Sequence, residues 1–180
     1  MGNKIIKRLV SDGMLIGVYV VLTYLSFSIG NIKIGLGPLA TILTALLYGP
    51  VDGLIVSILG ELLNQFIKFG ITLTTPIWII APAIRGLFIG LISYLYKRKD
   101  KDLMDNKVMY FITLLIGALL TTLVNTLALY RDALIIGYPY TFVIIELFSR
   151  IGVGLLSSII IGILLIPLYK GVKSIAYERN

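Results

Sequence analysis

The chain has 180 residues, 58% hydrophobic and 14% charged, with a mean hydropathy of +0.97; soluble domains carry about 25% charged residues, which excludes a soluble fold. Its 16 Lys and Arg against 9 Asp and Glu leave a formal charge of +7, but the cations gather at the ends of apolar runs, which favours a membrane surface over nucleic acid. Cys and His are absent, and with them disulfides, thiolate or imidazole metal sites, and the commonest nucleophiles and general bases.

In chain order, the short basic start MGNKIIKRL leads into an apolar run from Leu9 to Ile29. A cleaved signal peptide has a shorter apolar core and a small-residue cleavage site, so a retained first helix is expected here. Ser28 to Lys33 is expected to be a loop. Two apolar segments, Ile34 to Tyr48 and Val51 to Ile67, are separated by Gly49-Pro50, a strong helix breaker. Further spans are expected from about Pro76 to Tyr96, Val108 to Leu129 and Tyr140 to Tyr169, with YRDALIIGYPYT as the loop between the last two. Basic residues cluster at Lys4, Lys7 and Arg8, at Lys97, Arg98, Lys99, Lys101 and Lys107, and at Lys170, Lys173 and Arg179. The positive-inside rule makes all three clusters cytoplasmic, which requires two spans around Gly49-Pro50 rather than one. The expected fold is an all-α integral membrane protein, a six-transmembrane-helix bundle with both termini cytoplasmic, in which residues 1–180 form a single membrane-embedded domain. No internal repeat supports an inverted-repeat carrier.

The stretch ELLNQFIKFGITLTTPIWIIAPAIR, Glu61 to Arg85, concentrates polar groups in an otherwise apolar chain. In lipid such groups are costly unless they face a cavity or a partner. Ser57, Glu61, Asn64 or Gln65, and Lys68 recur every three or four residues and share a helix face. Trp78 and Arg85 share another, as do Thr121 or Thr122 and Asn125. By helix rise Arg85 lies roughly 13 Å below the outer surface, and Glu61, Asn64, Gln65, Asn125, Glu146 and Arg150 also fall in the outer half, while the inner half is expected to hold almost no polar groups. A buried Arg takes a carboxylate or phosphate in a two-pronged, charge-assisted pair, so an anionic small molecule is favoured. Thr74, Thr75, Asn64, Gln65 and Asn125 would add neutral hydrogen bonds and Trp78 a flat wall or lid. Other readings stay open: Glu146 and Arg150 as an i, i+4 pair, Arg85 bridged to Glu61, Trp78 with Tyr130, Tyr138 and Tyr140 as an interfacial belt, and Thr121 and Thr122 back-bonded to their own helix. Small-xxx-small pairs occur at Gly13 and Gly17 and at Gly86 and Gly90, where helices can approach closely within the chain or between subunits.

The basic start, the small-xxx-small pair in the first helix, LLYGPVDGLIVSILGELLNQFI and TTPIWIIAPAIRGLFIG together resemble the substrate-binding S components of energy-coupling factor (ECF) vitamin transporters. The resemblance covers nearly the whole chain. It implies a subunit of the bacterial cell membrane that binds a water-soluble vitamin from outside and then associates with a membrane coupling subunit and two cytoplasmic ATPases. On that likeness Gly13 and Gly17 are the coupling-subunit contact, where the family usually has Ala-xxx-Ala. The ligand site comprises Gln65, Thr75, Trp78, Arg85 and Asn125, with Lys68 to Thr75 as a lid. An Arg on the fourth helix and an Asn on the fifth are similar to the pantothenate type. Folate types carry an Arg ahead of the second helix, where this chain has Lys33 and IGLGPLATI. Neither catalytic residues nor a cofactor or metal are expected, and no phosphate-binding GxxxxGK[ST] loop occurs. Two other classes are weighed: a stand-alone channel or secondary carrier, which needs polar residues through the full membrane depth, and a membrane enzyme, which needs a nucleophile and base that this chain does not present.

Overall fold

The computed structural model describes residues 2–29 and 32–178, with side chains placed at 6–25 and 35–174. Six helices and one hairpin follow in order: α1 (Gly2–Tyr24), β1 (Ser26–Ile29), β2 (Ile32–Gly35), α2 (Gly37–Tyr48), α3 (Pro50–Phe69), α4 (Thr75–Lys97), a short 3-10 turn (Leu103–Asp105), α5 (Lys107–Ile136) and α6 (Tyr140–Glu178). Among the described residues α3, α4, α5 and Tyr140–Ser174 of α6 are long and apolar enough to cross a membrane, while α2 is apolar but shorter.

Each boundary has a local cause. Gly49, at φ +103, ends α2, and Pro50 begins α3 where its missing N–H leaves no intrahelical bond unmade. Gly137, at φ +89, closes α5, with its amide and that of Tyr138 both on the Ala133 carbonyl at 2.8 and 3.1 Å.

The structure departs from the expected elements in two places. The first helix stops at Tyr24, and the residues expected as its last turn and a loop form an antiparallel hairpin, Ser26 opposite Gly35 and Ile29 opposite Ile32. The stretch SFSIGNIKIG alternates polar and apolar residues about a Gly-Asn pair, a strand pattern that an apolar-run criterion absorbs into the helix. The fifth helix runs on through Ile136, so most of the expected loop is helical and only Gly137 to Pro139 connect α5 to α6. Asp132 thereby becomes a helix residue.

α2 packs against α1, α3, α4 and α6, and its Leu39, Ile42, Leu43 and Leu46 join Ile89, Leu114, Ile161 and Leu165 in the main core. A smaller cluster of Trp78, Leu129, Ala133 and Val143 closes the other end. The α2 end is not free of polar groups, contrary to expectation. Asp52 on α3 accepts both oxygens' worth of bonds from the Arg8 guanidinium, and buried Asp12 lies beside it with Oδ1 unbonded. Thr44 and Ser57 donate to carbonyls one turn back at 2.8 and 2.5 Å, which satisfies them within their own helices.

Candidate functional site

Between the two apolar clusters α1, α3, α4 and α5 bring polar side chains together. Gly60 is the reason Tyr19 can enter: a Cβ there would lie 2.6 Å from the Tyr19 ring. With the ring seated on α3, the Tyr19 hydroxyl donates to Glu61 Oε2 at 2.7 Å. Gln65 Nε2 donates to Glu61 Oε1 at 2.7 Å, and Asn64 Nδ2 reaches both carboxylate oxygens at 3.2 Å. Glu61 is therefore saturated by neutral donors, and it joins α1 to α3. The amide nitrogen of Asn64 is spent on Glu61, while Oδ1 of this residue, 5% exposed, has no partner among the described residues.

Arg85 is not bridged to Glu61. Its Nε donates to Thr121 Oγ1 at 2.9 Å, and that hydroxyl donates in turn to the Gly117 carbonyl at 2.7 Å. Among the described residues no carboxylate lies within ion-pair distance of Arg85, and among them its terminal amino groups donate to no protein atom. A guanidinium with its fork unused in a low-dielectric interior can take an anion in a charge-assisted, two-pronged pair. Asn125, half-buried and with no hydrogen bond among the described residues, is one turn along the α5 face that carries Thr121. Register thus puts the polar amide near the point where Arg85 is held.

Towards the smaller apolar cluster a pocket of about 430 Å³ opens, lined by Gln65, Phe69, Thr72, Thr74, Trp78 and Asp132 among others. Its volume is in the range of small-molecule sites. Trp78 Nε1 donates to Asp132 Oδ2 at 3.0 Å, and the Arg150 guanidinium lies over the indole at 5.6 Å. Arg150 is also paired with Glu146 at 3.0 Å, the i, i+4 arrangement. Trp78 is consequently held by α5 and α6 together.

Of the expected ligand residues, Gln65, Thr74 and Trp78 line this pocket, whereas Arg85 and Asn125 are not in its lining. Gln65 belongs to both regions, lining the pocket while its amide donates to Glu61. Thr75 is buried and its hydroxyl accepts from the Thr72 amide at 2.8 Å, so it shapes the loop ahead of α4. Tyr19 and Asp132 also belong to these networks, and sequence alone does not single them out: Asp132 falls in a stretch expected to be loop, and one Tyr hydroxyl in an apolar run is a faint signal. Gly13 and Gly17 lie on an exposed face of α1 with nothing within 4 Å of a Cβ at either position. Gly86 and Gly90 do the opposite, meeting the backbone of Gly53 and Pro50 on α3.

Comparison with solved structures supports this arrangement of helices. The S component of a bacterial ECF transporter superposes with a TM-score of 0.68 at 20% identity, covering 94% of this chain and 97% of that one. The S component for biotin from an ECF-type ABC transporter gives 0.65 at 18% identity over 94% of both, and ThiT from Listeria monocytogenes 0.63 at 22%, over 90% of this chain and 94% of that one. At these identities the likeness shows the fold. A UPF0397 protein of Lactobacillus gasseri is 29% identical over 176 residues, 93% of this chain and 91% of the relative. Another, from Lactobacillus johnsonii, is 35% identical over 89 residues, 48% of this chain and 47% of the relative. The sequence family described as ECF transporter, substrate-specific component, matches residues 7–173. This chain belongs to the family of substrate-specific components of ECF transporters.

Proposed function

We propose that this chain captures a water-soluble, anionic vitamin, pantothenate first, from the outer face of the membrane and delivers it by associating with a membrane coupling subunit and two cytoplasmic ATPases. The observation that carries this reading is Arg85, a half-buried side chain whose guanidinium is held by Thr121 through Nε alone, with no carboxylate of the described residues beside it. A ligand carboxylate would supply the missing charge, and a ligand hydroxyl or amide could satisfy Asn64 Oδ1 and Asn125. The chain is a multi-pass protein of the cytoplasmic membrane, and its family is a class of transporter components and not of enzymes.

In this reading residues 1–180 act as one S-component domain whose six helices all cross the bilayer with both termini in the cytoplasm. The distribution of Lys and Arg supports that topology. Gly13 and Gly17 form the coupling contact, supported by their open position on α1. Residues Lys68 to Thr75 act as the lid, with Lys68 resting over the Tyr24 ring at 4.8 Å. Folate is a second anionic candidate. A different vitamin charge is favoured by one feature: the outer pocket carries Asp132 and Trp78 but no basic side chain in its lining, which suits a cationic ring.

The test is to purify the chain in detergent and titrate it with pantothenate, folate, thiamine and a neutral vitamin panel, following the fluorescence of Trp78, the single tryptophan. Saturable binding of one anionic vitamin supports the reading. Selective binding of the cation moves the ligand to the outer pocket, and no binding by a folded, monodisperse sample overturns both.

A further inference from the structure

At the opposite end of the bundle α4 and α5 part around a crevice of about 350 Å³, walled by Ile92, Leu95 and Met109 and rimmed by Tyr96, Lys99 and Lys101. It straddles the end of a spanning helix: Ile92 and Leu95 lie within α4, which finishes at Lys97, and the two lysines lie just beyond. The turn that ends α4 brings them there. Asp100 adopts φ +53, a left-handed conformation uncommon outside glycine, and the amides of Lys99 and Lys101 both donate to the Tyr96 carbonyl, at 2.9 and 3.1 Å. The chain doubles back over the helix end, so two ammonium groups from alternate residues reach one crevice. Neither is ion-paired with a carboxylate among the described residues.

We propose that this crevice binds one anionic phospholipid, its phosphate between Lys99 and Lys101 and an acyl chain along Ile92, Leu95 and Met109. An apolar wall alone would accept any lipid, and a lysine rim alone any anion. The two in one crevice select an amphiphile with a negative head, and basic pockets between helices at the cytoplasmic surface hold such head groups. The proposal rests on this end of the bundle lying at a membrane surface; it is independent of which vitamin the protein carries.

The full chain, purified in detergent, is titrated with phosphatidylglycerol and read by native mass spectrometry. One retained lipid per chain is expected, with phosphatidylcholine held far less well. At about fivefold per lysine near a membrane surface, Lys99→Gln with Lys101→Gln should weaken retention about 30-fold. The pair Arg98→Gln with Lys7→Gln removes the same charge from exposed positions outside the crevice and should leave retention at the wild-type level. Both pairs alter exposed residues, and a melting curve checks that they fold. Equal weakening by the two pairs, equal retention of phosphatidylcholine, or competition by glycerol phosphate as effective as by the lipid would each overturn the proposal.

Discussion

Arg85 and Glu61 are two ionisable side chains in the bundle interior that have been treated differently by their surroundings. Glu61 receives hydrogen bonds from Tyr19, Asn64 and Gln65, while Arg85 receives one hydroxyl and no counter-charge. A buried ion with incomplete pairing is destabilising by itself, so Arg85 is expected to matter more to ligand than to fold. In Arg85→Gln, affinity for the anionic vitamin should fall by roughly 30-fold to several-thousand-fold, while the melting temperature stays the same or rises. Calorimetric titration and a thermal melt measure both. A large loss of stability with affinity intact would return Arg85 to a structural role.

At the scale of elements, two glycine pairs with the same spacing have opposite surroundings. On α4, Gly86 faces the Gly53 carbonyl and the Ser57 hydroxyl, and Gly90 faces Pro50, so any side chain there must push α3 away. Overpacking of this kind typically costs about 1–3 kcal/mol, and Gly86→Leu should lower thermal stability accordingly. On α1, Gly13→Leu meets open space and should leave stability and vitamin binding unchanged. It should, however, abolish co-purification with the coupling module, if this face is where the coupling subunit docks. Pull-down with the module, beside a melting curve of each variant, separates the two outcomes. Unimpaired assembly by Gly13→Leu would remove the α1 face from the interface. The pattern small-xxx-small was visible in both helices, but spacing cannot say which pair already has a neighbour.

At the scale of the molecule, Asp102 ties the connection between α4 and α5 to α6. Burial alone would raise this carboxyl, but hydrogen bonds from Lys173 Nζ at 2.5 Å, the Tyr169 hydroxyl at 2.7 Å and the Met104 amide at 3.0 Å outweigh it and hold Asp102 below the usual carboxylate range. A carboxyl lowered on folding contributes stability above its unfolded value, near pH 4, and that contribution is lost as pH falls through its lower folded value. Melting temperature should therefore drop below about pH 4 in the wild type. In Asp102→Asn it should be lower at neutral pH and vary less across that window; an unchanged acid profile would mean that Asp102 is not a linked group.

Much of this architecture was legible from the sequence, because the cost of bringing charge into hydrocarbon restricts which runs can be buried in lipid, and because Gly49-Pro50 interrupts a helix whatever surrounds it. Hydropathy, breaker residues and basic clusters accordingly marked the helices, and the two long motifs marked the family. Local pattern failed at Ser26 to Gly35 and at Tyr130 to Ile136, where strand alternation and helix continuation depend on what the segment packs against. The candidate site divides in the same way. That Glu61, Asn64, Gln65 and Arg85 were exceptional followed from polarity at membrane depth, a property of single positions. That Glu61 pairs with Tyr19 instead of Arg85, that Trp78 is held by Asp132, and that Gly13 looks outward while Gly86 looks inward were decided only by the tertiary structure, since each depends on the rotation of one helix against another.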